Sequence, residues 1–82
     1  MNSSQTAVRD LTLMLMYLTS WHERTVDLRR CWKGYDFDIL DELAEGGLIS
    51  DSRRAKSAYL TEDGEREAQL LLSRYGIGAA GE

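Results

Sequence analysis

The run W-K-G-Y-D-F-D-I-L-D-E-L-A-E-G-G-L-I, which begins at Trp32, constrains the fold more than any other part of the chain. Asp36 is a suitable N-cap, because its carboxylate can accept hydrogen bonds from the unpaired N–H groups of a first helical turn. Gly46 and Gly47 supply the left-handed conformation that ends a helix, and the Leu-Ile pair after them begins a strand. The run therefore predicts a helix over 36–46 that leads directly into a strand.

This predicted middle helix has one apolar face and one acidic face. Helical spacing assigns four residues to the buried side: Phe37, Leu40, Leu43 and Ala44. The same spacing assigns four carboxylates to the outward side: Asp38, Asp41, Glu42 and Glu45. Like charges at this spacing destabilise a helix slightly. We interpret the outward row either as a solvated face or as a surface that meets a basic protein partner.

A first helix is predicted over 6–22. Its inward stripe is expected to consist of Val8, Leu11, Leu15 and Leu18. Further apolar residues lie around the rest of the cylinder: Leu13, Met14, Met16 and Tyr17. Because one neighbour cannot cover so many sides, we expect this helix either to pack between two elements of its own chain or to form the seam of a homodimer. His22 is expected to interact favourably with the C-terminal dipole of this helix.

The segment between the first two helices has no single clear pattern. Leu28, Cys31 and Trp32 stand at i, i+3 and i+4, which favours a short helix over 25–32, but Gly34 would end it after about two turns. A loop followed by a strand is the alternative. Cys31 is expected to be a small buried residue.

The C-terminal half is predicted to form a hairpin over 48–60 and a last helix over 61–75, with Thr61 as the N-cap. The inward stripe of the last helix is expected to consist of Ala68, Leu71, Leu72 and Tyr75. We expect one domain over 1–75 and a flexible tail over 76–82.

Length and composition describe one small soluble domain: 82 residues, 43% apolar and 29% charged. A core of this size is only marginally stable by itself, and dimerisation would extend it. The apolar run over 11–18 is shorter than the roughly 20 residues of a membrane-spanning helix, and no signal-peptide pattern frames it. The single cysteine excludes an internal disulfide, so a cytoplasmic location is expected.

The order of these elements resembles a winged-helix module. The resemblance rests on Gly47-Leu48-Ile49, on the basic turn Arg53-Arg54-Ala55-Lys56, and on Tyr59-Leu60-Thr61-Glu62-Asp63-Gly64. It implies a recognition helix that precedes a β-wing and a last helix that mediates dimerisation. The chain departs from the ordinary module between His22 and Asp36, where the scaffold helix must be short or missing.

A narrower resemblance covers most of the chain. The run Arg30-Cys31-Trp32-Lys33-Gly34-Tyr35-Asp36-Phe37, followed by Leu40-Asp41 and Gly47-Leu48-Ile49-Ser50, resembles a small bacterial family of uncharacterised domains. This resemblance implies a fold and a kinship. It implies no established activity, so it assigns no catalytic or binding residue.

Catalytic and metal-binding patterns do not emerge from the residues. His22 and Cys31 are the soft metal-ligand candidates, and two ligands are too few for a zinc site. The acids of the middle helix form a convex row with no His or nucleophile assigned to them. Neither glycine pattern of a phosphate-binding loop occurs. We therefore predict a protein that is not an enzyme and that uses no cofactor and no metal.

Nucleic-acid binding is a candidate function because seven of the ten basic residues fall in two short stretches. From these we select as phosphate contacts Arg29, Arg30, Lys33, Arg53, Arg54 and Lys56. The net charge of −4 and the acids of the middle helix oppose ordinary recognition-helix docking. The alternative for the basic stretches is a solvated hairpin with ion pairs to the acidic helix.

The sequence thus predicts a small cytoplasmic, winged-helix-like protein that forms a homodimer through its first and last helices. The preferred function is a regulatory or adaptor module that acts through protein contacts at the acidic row. The alternative is a DNA-binding transcriptional regulator that uses the basic wing and the segment 29–33.

Overall fold

The computed structural model describes residues 3–23, 28–51 and 57–77. Within these ranges the elements follow in the order α1 (Ser3–Leu18), β1 (Trp21–Glu23), β2 (Leu28–Trp32), α2 (Phe37–Glu45), β3 (Ile49–Asp51), β4 (Ser57–Leu60) and α3 (Glu62–Arg74). The strands form one antiparallel sheet in the order β1-β2-β4-β3. Three helices on a small sheet make a mixed α/β domain that is consistent with the predicted winged-helix-like class.

The sheet is larger than the predicted hairpin because residues before α2 join it. β2 pairs with β4 and places Cys31 opposite Ala58, so the proposed short helix over 25–32 is wrong for its described part, 28–32. Short apolar runs fit helical and extended patterns almost equally well, and pairing with a neighbouring strand decides between them. Residues 24–27 lie outside the described ranges.

α1 ends earlier than predicted, at Leu18 instead of residue 22. The hydroxyls of Thr19 and Ser20 donate to the carbonyl oxygens of Leu15 and Tyr17 at 2.8 and 2.6 Å, which satisfies carbonyls at the end of the helix. His22 lies in β1 and is exposed, so its predicted position at the helix terminus is wrong.

The inward face of α1 is opposite to the predicted one. The buried residues are Leu13, Met14, Met16 and Tyr17, and the predicted inward stripe of Val8, Leu11, Leu15 and Leu18 is 43 to 50% exposed. Both sets have helical spacing, so the sequence alone does not distinguish them. The larger Met and Tyr side chains fill the space against the sheet and α3, where the Gln69 side-chain amide donates to the Tyr17 hydroxyl at 3.0 Å.

α2 forms as predicted, because both of its ends are fixed locally. The Asp36 carboxylate accepts from the Asp38 N–H at 2.8 Å, and Gly47 has a φ of +76°. The buried residues are Ile39, Leu40 and Leu43, with Ala44 partly buried. Phe37 is 77% exposed, so its predicted burial is wrong: the buried face is centred closer to Ile39, and Phe37 falls at its margin in the first turn.

α3 begins at the predicted N-cap, where the Thr61 hydroxyl accepts from the Gly64 N–H at 2.9 Å. Ala68, Leu71 and Leu72 are buried as predicted. The fourth predicted inward residue, Tyr75, is 52% exposed because it follows the last helical residue as the C-cap.

The Leu-Thr-x-x-Gly pattern joins α3 to the chain segment before β3. The Thr61 hydroxyl donates to the Gly47 carbonyl oxygen at 2.7 Å, and the Thr61 N–H donates to the Leu48 carbonyl oxygen at 3.1 Å. A Cβ atom on Gly64 would overlap the same Leu48 carbonyl oxygen. Only glycine therefore allows this approach of the two segments without a backbone shift.

The remaining predictions concern the boundaries of the chain. The hairpin prediction corresponds to β3 and β4, whose connecting residues 52–56 lie outside the described ranges. The single domain over 1–75 remains a prediction. Of the predicted tail, the structure describes Gly76 and Ile77, and residues 78–82 lie outside it.

Candidate functional site

Arg29 and Arg30 do not form one continuous basic edge, because neighbouring residues of β2 face opposite sides of the sheet. The Arg29 guanidinium donates to the Ser20 hydroxyl at 2.9 Å and lies 5.1 Å from the centre of the Tyr17 ring, on the side of the helices. Arg30 lies on the outer side of the sheet, away from the helices. Each arginine is thus positioned by hydroxyl and aromatic groups.

Lys33 follows β2 and is partly buried. Trp32 pairs with Ser57, so Lys33 lies at the end of the sheet where Ser57 begins β4. This end is next to the boundary of the undescribed segment 52–56. Three predicted phosphate contacts, Arg53, Arg54 and Lys56, lie in that segment, so their role remains a prediction.

The acidic row of α2 lies where the sequence places it, on the outward surface. The structure exposes all four members: Asp38, Asp41, Glu42 and Glu45. Their positions leave them available to solvent or to a partner. The role of this row as a binding surface remains a prediction.

A line of apolar residues, the α1 stripe, follows the solvent side of the first helix. Its members are Val8 at 49%, Leu11 at 50%, Leu15 at 48% and Leu18 at 43% exposure. At 100° per residue this line lies opposite the buried side chains of the same helix. Three further exposed apolar residues lie in α3 or just after it: Leu70, Tyr75 and Ile77.

The outer side of the sheet carries a second surface, the aromatic face, in which Trp32 is exposed and three neighbours are partly buried: Trp21, Arg30 and Tyr59. The register places Trp21, Arg30 and Tyr59 in one row across β1, β2 and β4. The two tryptophan rings are 4.8 Å apart at 47°, and the Arg30 guanidinium lies 5.2 Å from the centre of the Tyr59 ring. The Arg30 Nε also donates to the Ser57 hydroxyl at 2.7 Å.

Sequence reasoning missed the aromatic face because it treated this segment as a helix candidate. The signal that could have found it is the alternation across β2, in which Arg30 and Trp32 flank the buried Cys31. On the opposite side of the sheet, Cys31, Ile49, Ala58 and Leu60 join the core with the buried residues of all three described helices.

Cys31 is buried, as predicted, and its chemistry follows from that burial. Its thiol is 0% exposed and donates a long hydrogen bond to the Ala58 carbonyl oxygen at 3.5 Å. Loss of hydration raises the pKa of this thiol from 9.0 to about 11, because burial disfavours the thiolate. The thiol is thus almost entirely protonated at neutral pH, and it is a poor nucleophile.

A shallow cleft of about 450 Å³ lies between the sheet and the start of α3. Its lining includes Ser50, Tyr59, Thr61, Glu62 and Asp63. The Thr61 hydroxyl is engaged in the helix cap, and Glu62 and Asp63 make this end of the molecule acidic.

The part of the chain that the structure describes contains neither a metal-binding cluster nor a bilayer-spanning helix. Among residues 3–23, 28–51 and 57–77, no group of three or more His, Cys, Asp or Glu side chains is arranged to hold a metal ion. In the same ranges, each helix is too short or too polar to traverse a lipid bilayer.

Comparisons with known proteins identify relatives of the whole domain. A family described as "Domain of unknown function (DUF6429)" matches residues 4–78. The uncharacterised protein y4hR of Sinorhizobium fredii (strain NBRC 101917 / NGR234) is 36% identical over 75 residues, which cover 90% of this chain and 95% of that protein. No solved structure shows a significant match.

Proposed function

We propose that this chain, which belongs to the DUF6429 family of domains of unknown function, is a non-catalytic, homodimeric adaptor or regulatory protein of the cytoplasm. The α1 stripe carries the proposal. In the homodimer, two copies of α1 pack against each other along this stripe, and the acidic row remains outside to meet a basic protein partner.

The spacing of the α1 stripe favours a helix partner. Its members stand at i, i+3, i+7 and i+10, which is the a/d pattern of helices that pack at a small crossing angle. Single exposed leucines are ordinary on protein surfaces, but four in one line form a continuous patch. A second copy of the same helix would remove this patch from water.

The size of the domain favours the same association. Stable dimers bury on the order of 1,200 Å² or more, which is more than the roughly three helical turns of the α1 stripe supply alone. Leu70 lies on α3, the helix that packs beside α1, and is 55% exposed. Contacts of Leu70, with Tyr75 and Ile77 after it, would extend the interface beyond the α1 stripe.

The described nucleophile candidates support a role without catalysis. The Cys31 thiol is buried, with its pKa raised to about 11 by desolvation. The Thr61 hydroxyl is held by the α3 cap. A reduced, buried cysteine is also in keeping with a cytoplasmic location.

Light scattering of wild type and of Leu11→Gln/Leu15→Gln tests the proposed dimer. Both residues are about half exposed, so the substitution leaves the monomer folded and removes apolar area from the seam. We expect a dimer for wild type and a monomer for the variant, with unchanged circular dichroism. Phe37→Gln is the matched control, because it removes an exposed apolar residue outside the α1 stripe. If the double variant keeps the dimer mass of wild type, the α1 stripe is not the dimer interface.

The adaptor role is tested at the acidic row. Replacement of Asp38, Asp41, Glu42 and Glu45 by Asn and Gln removes four charges without a large change of shape. We expect loss of the partners that wild type retains in a pull-down, with the dimer intact. Retention of the same partners would reject the acidic row as the binding surface.

A DNA-binding regulator is the second candidate, favoured by the position of Lys33 beside the end of the sheet where β4 begins. Titration with mixed-sequence duplex DNA at low and moderate salt tests it. This candidate predicts an affinity that falls steeply with salt and that is lost in Arg53→Ala/Arg54→Ala/Lys56→Ala. Absence of binding at low salt would reject it.

A further inference from the structure

We propose that the aromatic face binds a single-stranded polynucleotide, whose bases stack on the exposed ring of Trp32 and on the partly buried rings beside it. This site is separate from the α1 stripe and from the acidic row, so the inference does not depend on the proposed dimer.

The aromatic face presents one large ring, that of Trp32, to solvent. Trp32 is 59% exposed, although it belongs to a central strand of the sheet. Trp21 and Tyr59 beside it are partly buried. Each described helix contributes side chains to the core on the other side of the sheet. An exposed ring such as that of Trp32 can receive a base that has left a duplex stack.

The arginine of the aromatic face is held in a fixed position. Arg30 is held over the Tyr59 ring at 5.2 Å and is tied to the Ser57 hydroxyl at 2.7 Å. A planar guanidinium next to aromatic rings can stack on a base and attract a phosphate. The positive charge of the aromatic face thus comes from Arg30, between the rings.

The charges around the aromatic face also predict the path of the bound polynucleotide. Glu62 and Asp63 lie at the cleft beside Tyr59, where a phosphate would be repelled. We therefore expect the sugar–phosphate backbone to follow the side of Arg30. The bases would then lie over Trp32 and Trp21.

A second copy of this chain fits the aromatic face less well. A two-fold contact between two such faces would bring the central strands opposite each other and enclose two Arg30 side chains in one interface. Like charges in that position oppose association. The cation among the rings instead complements an anionic backbone.

Intrinsic fluorescence tests this site directly, because Trp21 and Trp32 are the only tryptophans of the chain. Titration with an oligothymidylate of about 15 nucleotides should quench the fluorescence and bind with an affinity that falls with salt. An oligouridylate arm distinguishes DNA from RNA, and binding of either supports the proposal. Absence of quenching by both at low salt would overturn it.

Fluorescence anisotropy of a labelled oligonucleotide measures binding without the tryptophans as the probe. Trp32 itself can therefore be substituted. We expect Trp32→Ala to weaken binding about tenfold or more, since base stacking on one ring contributes about that factor. Arg30→Gln should weaken binding and reduce its salt dependence. Phe37→Ala is the matched control, because Phe37 is an exposed aromatic residue on α2, and its loss should leave the affinity unchanged.

Three outcomes would overturn the proposal. One is an affinity of Trp32→Ala equal to that of wild type. Another is duplex DNA that binds at least as tightly as the single strand. The third is conversion of a dimer to a monomer by Trp32→Ala, which would assign the aromatic face to a protein.

Discussion

Gly64 is the residue whose side-chain requirement is clearest. Its Cα faces the Leu48 carbonyl oxygen, which also accepts from the Thr61 N–H, so an added methyl group must move backbone. We expect Gly64→Ala to lower the free energy of unfolding by about 2 kcal/mol or more. Gly34→Ala is the control, because a Cβ at Gly34 meets no atom within 4 Å, and we expect a change within about 1 kcal/mol. If urea denaturation shows the same loss of unfolding free energy for Gly64→Ala and Gly34→Ala, the close approach at Gly64 does not constrain the side chain.

Cys31 predicts a specific dependence of stability on pH. Burial raises the pKa of the folded thiol from 9.0 to about 11, so only the unfolded chain loses this proton between those values. The contribution is complete below pH 9 and is lost as the pH rises to about 11. It amounts to about 3 kcal/mol, because the two pKa values, 9.0 and about 11, lie about two units apart and one pKa unit corresponds to about 1.4 kcal/mol.

Comparison with Cys31→Ala isolates this contribution from the titration of tyrosines and lysines. We expect the difference in unfolding free energy between wild type and variant to shrink between about pH 8.5, below the pKa of the unfolded thiol, and about pH 11, the pKa of the folded thiol. A difference that does not change with pH would show that the folded thiol ionises normally. Rapid labelling of the native thiol at neutral pH would show the same.

At the scale of the element, α1 has two apolar sides, and the structure assigns different roles to them. Leu13 is fully buried and Leu15 is 48% exposed. Under dilute conditions in which the protein is a monomer, Leu13→Ala should lower the free energy of unfolding by about 2–5 kcal/mol. Leu15→Ala should change it little. If urea denaturation shows a larger loss of stability for Leu15→Ala than for Leu13→Ala, the side of α1 that the sequence pattern predicted to be buried is the buried side.

The elements that the sequence predicts well are those with local end signals. Asp36, Gly47 and Thr61 fix the ends of α2 and α3 through contacts with near neighbours, and these contacts can be recognised from residue type and spacing alone. β2 has no such signal. Its conformation depends on the distant strand β4, so helical spacing among Leu28, Cys31 and Trp32 is misleading.

At the scale of the whole molecule, the sequence predicts the winged-helix-like class but not the allocation of surfaces. α1 has two apolar sides, and only the packed structure shows that Leu11 and Leu15 face solvent. The aromatic face likewise requires a sheet that brings Trp21 and Tyr59 to the same side as Arg30. The acidic row is local to one helix, and its exposure follows from helical periodicity.

Three separate surfaces therefore allow one small domain to have three contacts. The α1 stripe would join two copies, the acidic row of α2 would meet a basic partner, and the aromatic face would receive unpaired bases. The first contact is the premise of the proposed adaptor, because it determines how many copies of the other two surfaces the protein presents.

Sedimentation equilibrium of the wild-type protein tests this premise most directly. The chain has a mass of 9.3 kDa. We predict a mass of twice that value at high micromolar concentration, with dissociation on dilution. A mass of 9.3 kDa throughout the high micromolar range would contradict the dimer and leave the α1 stripe without its proposed partner.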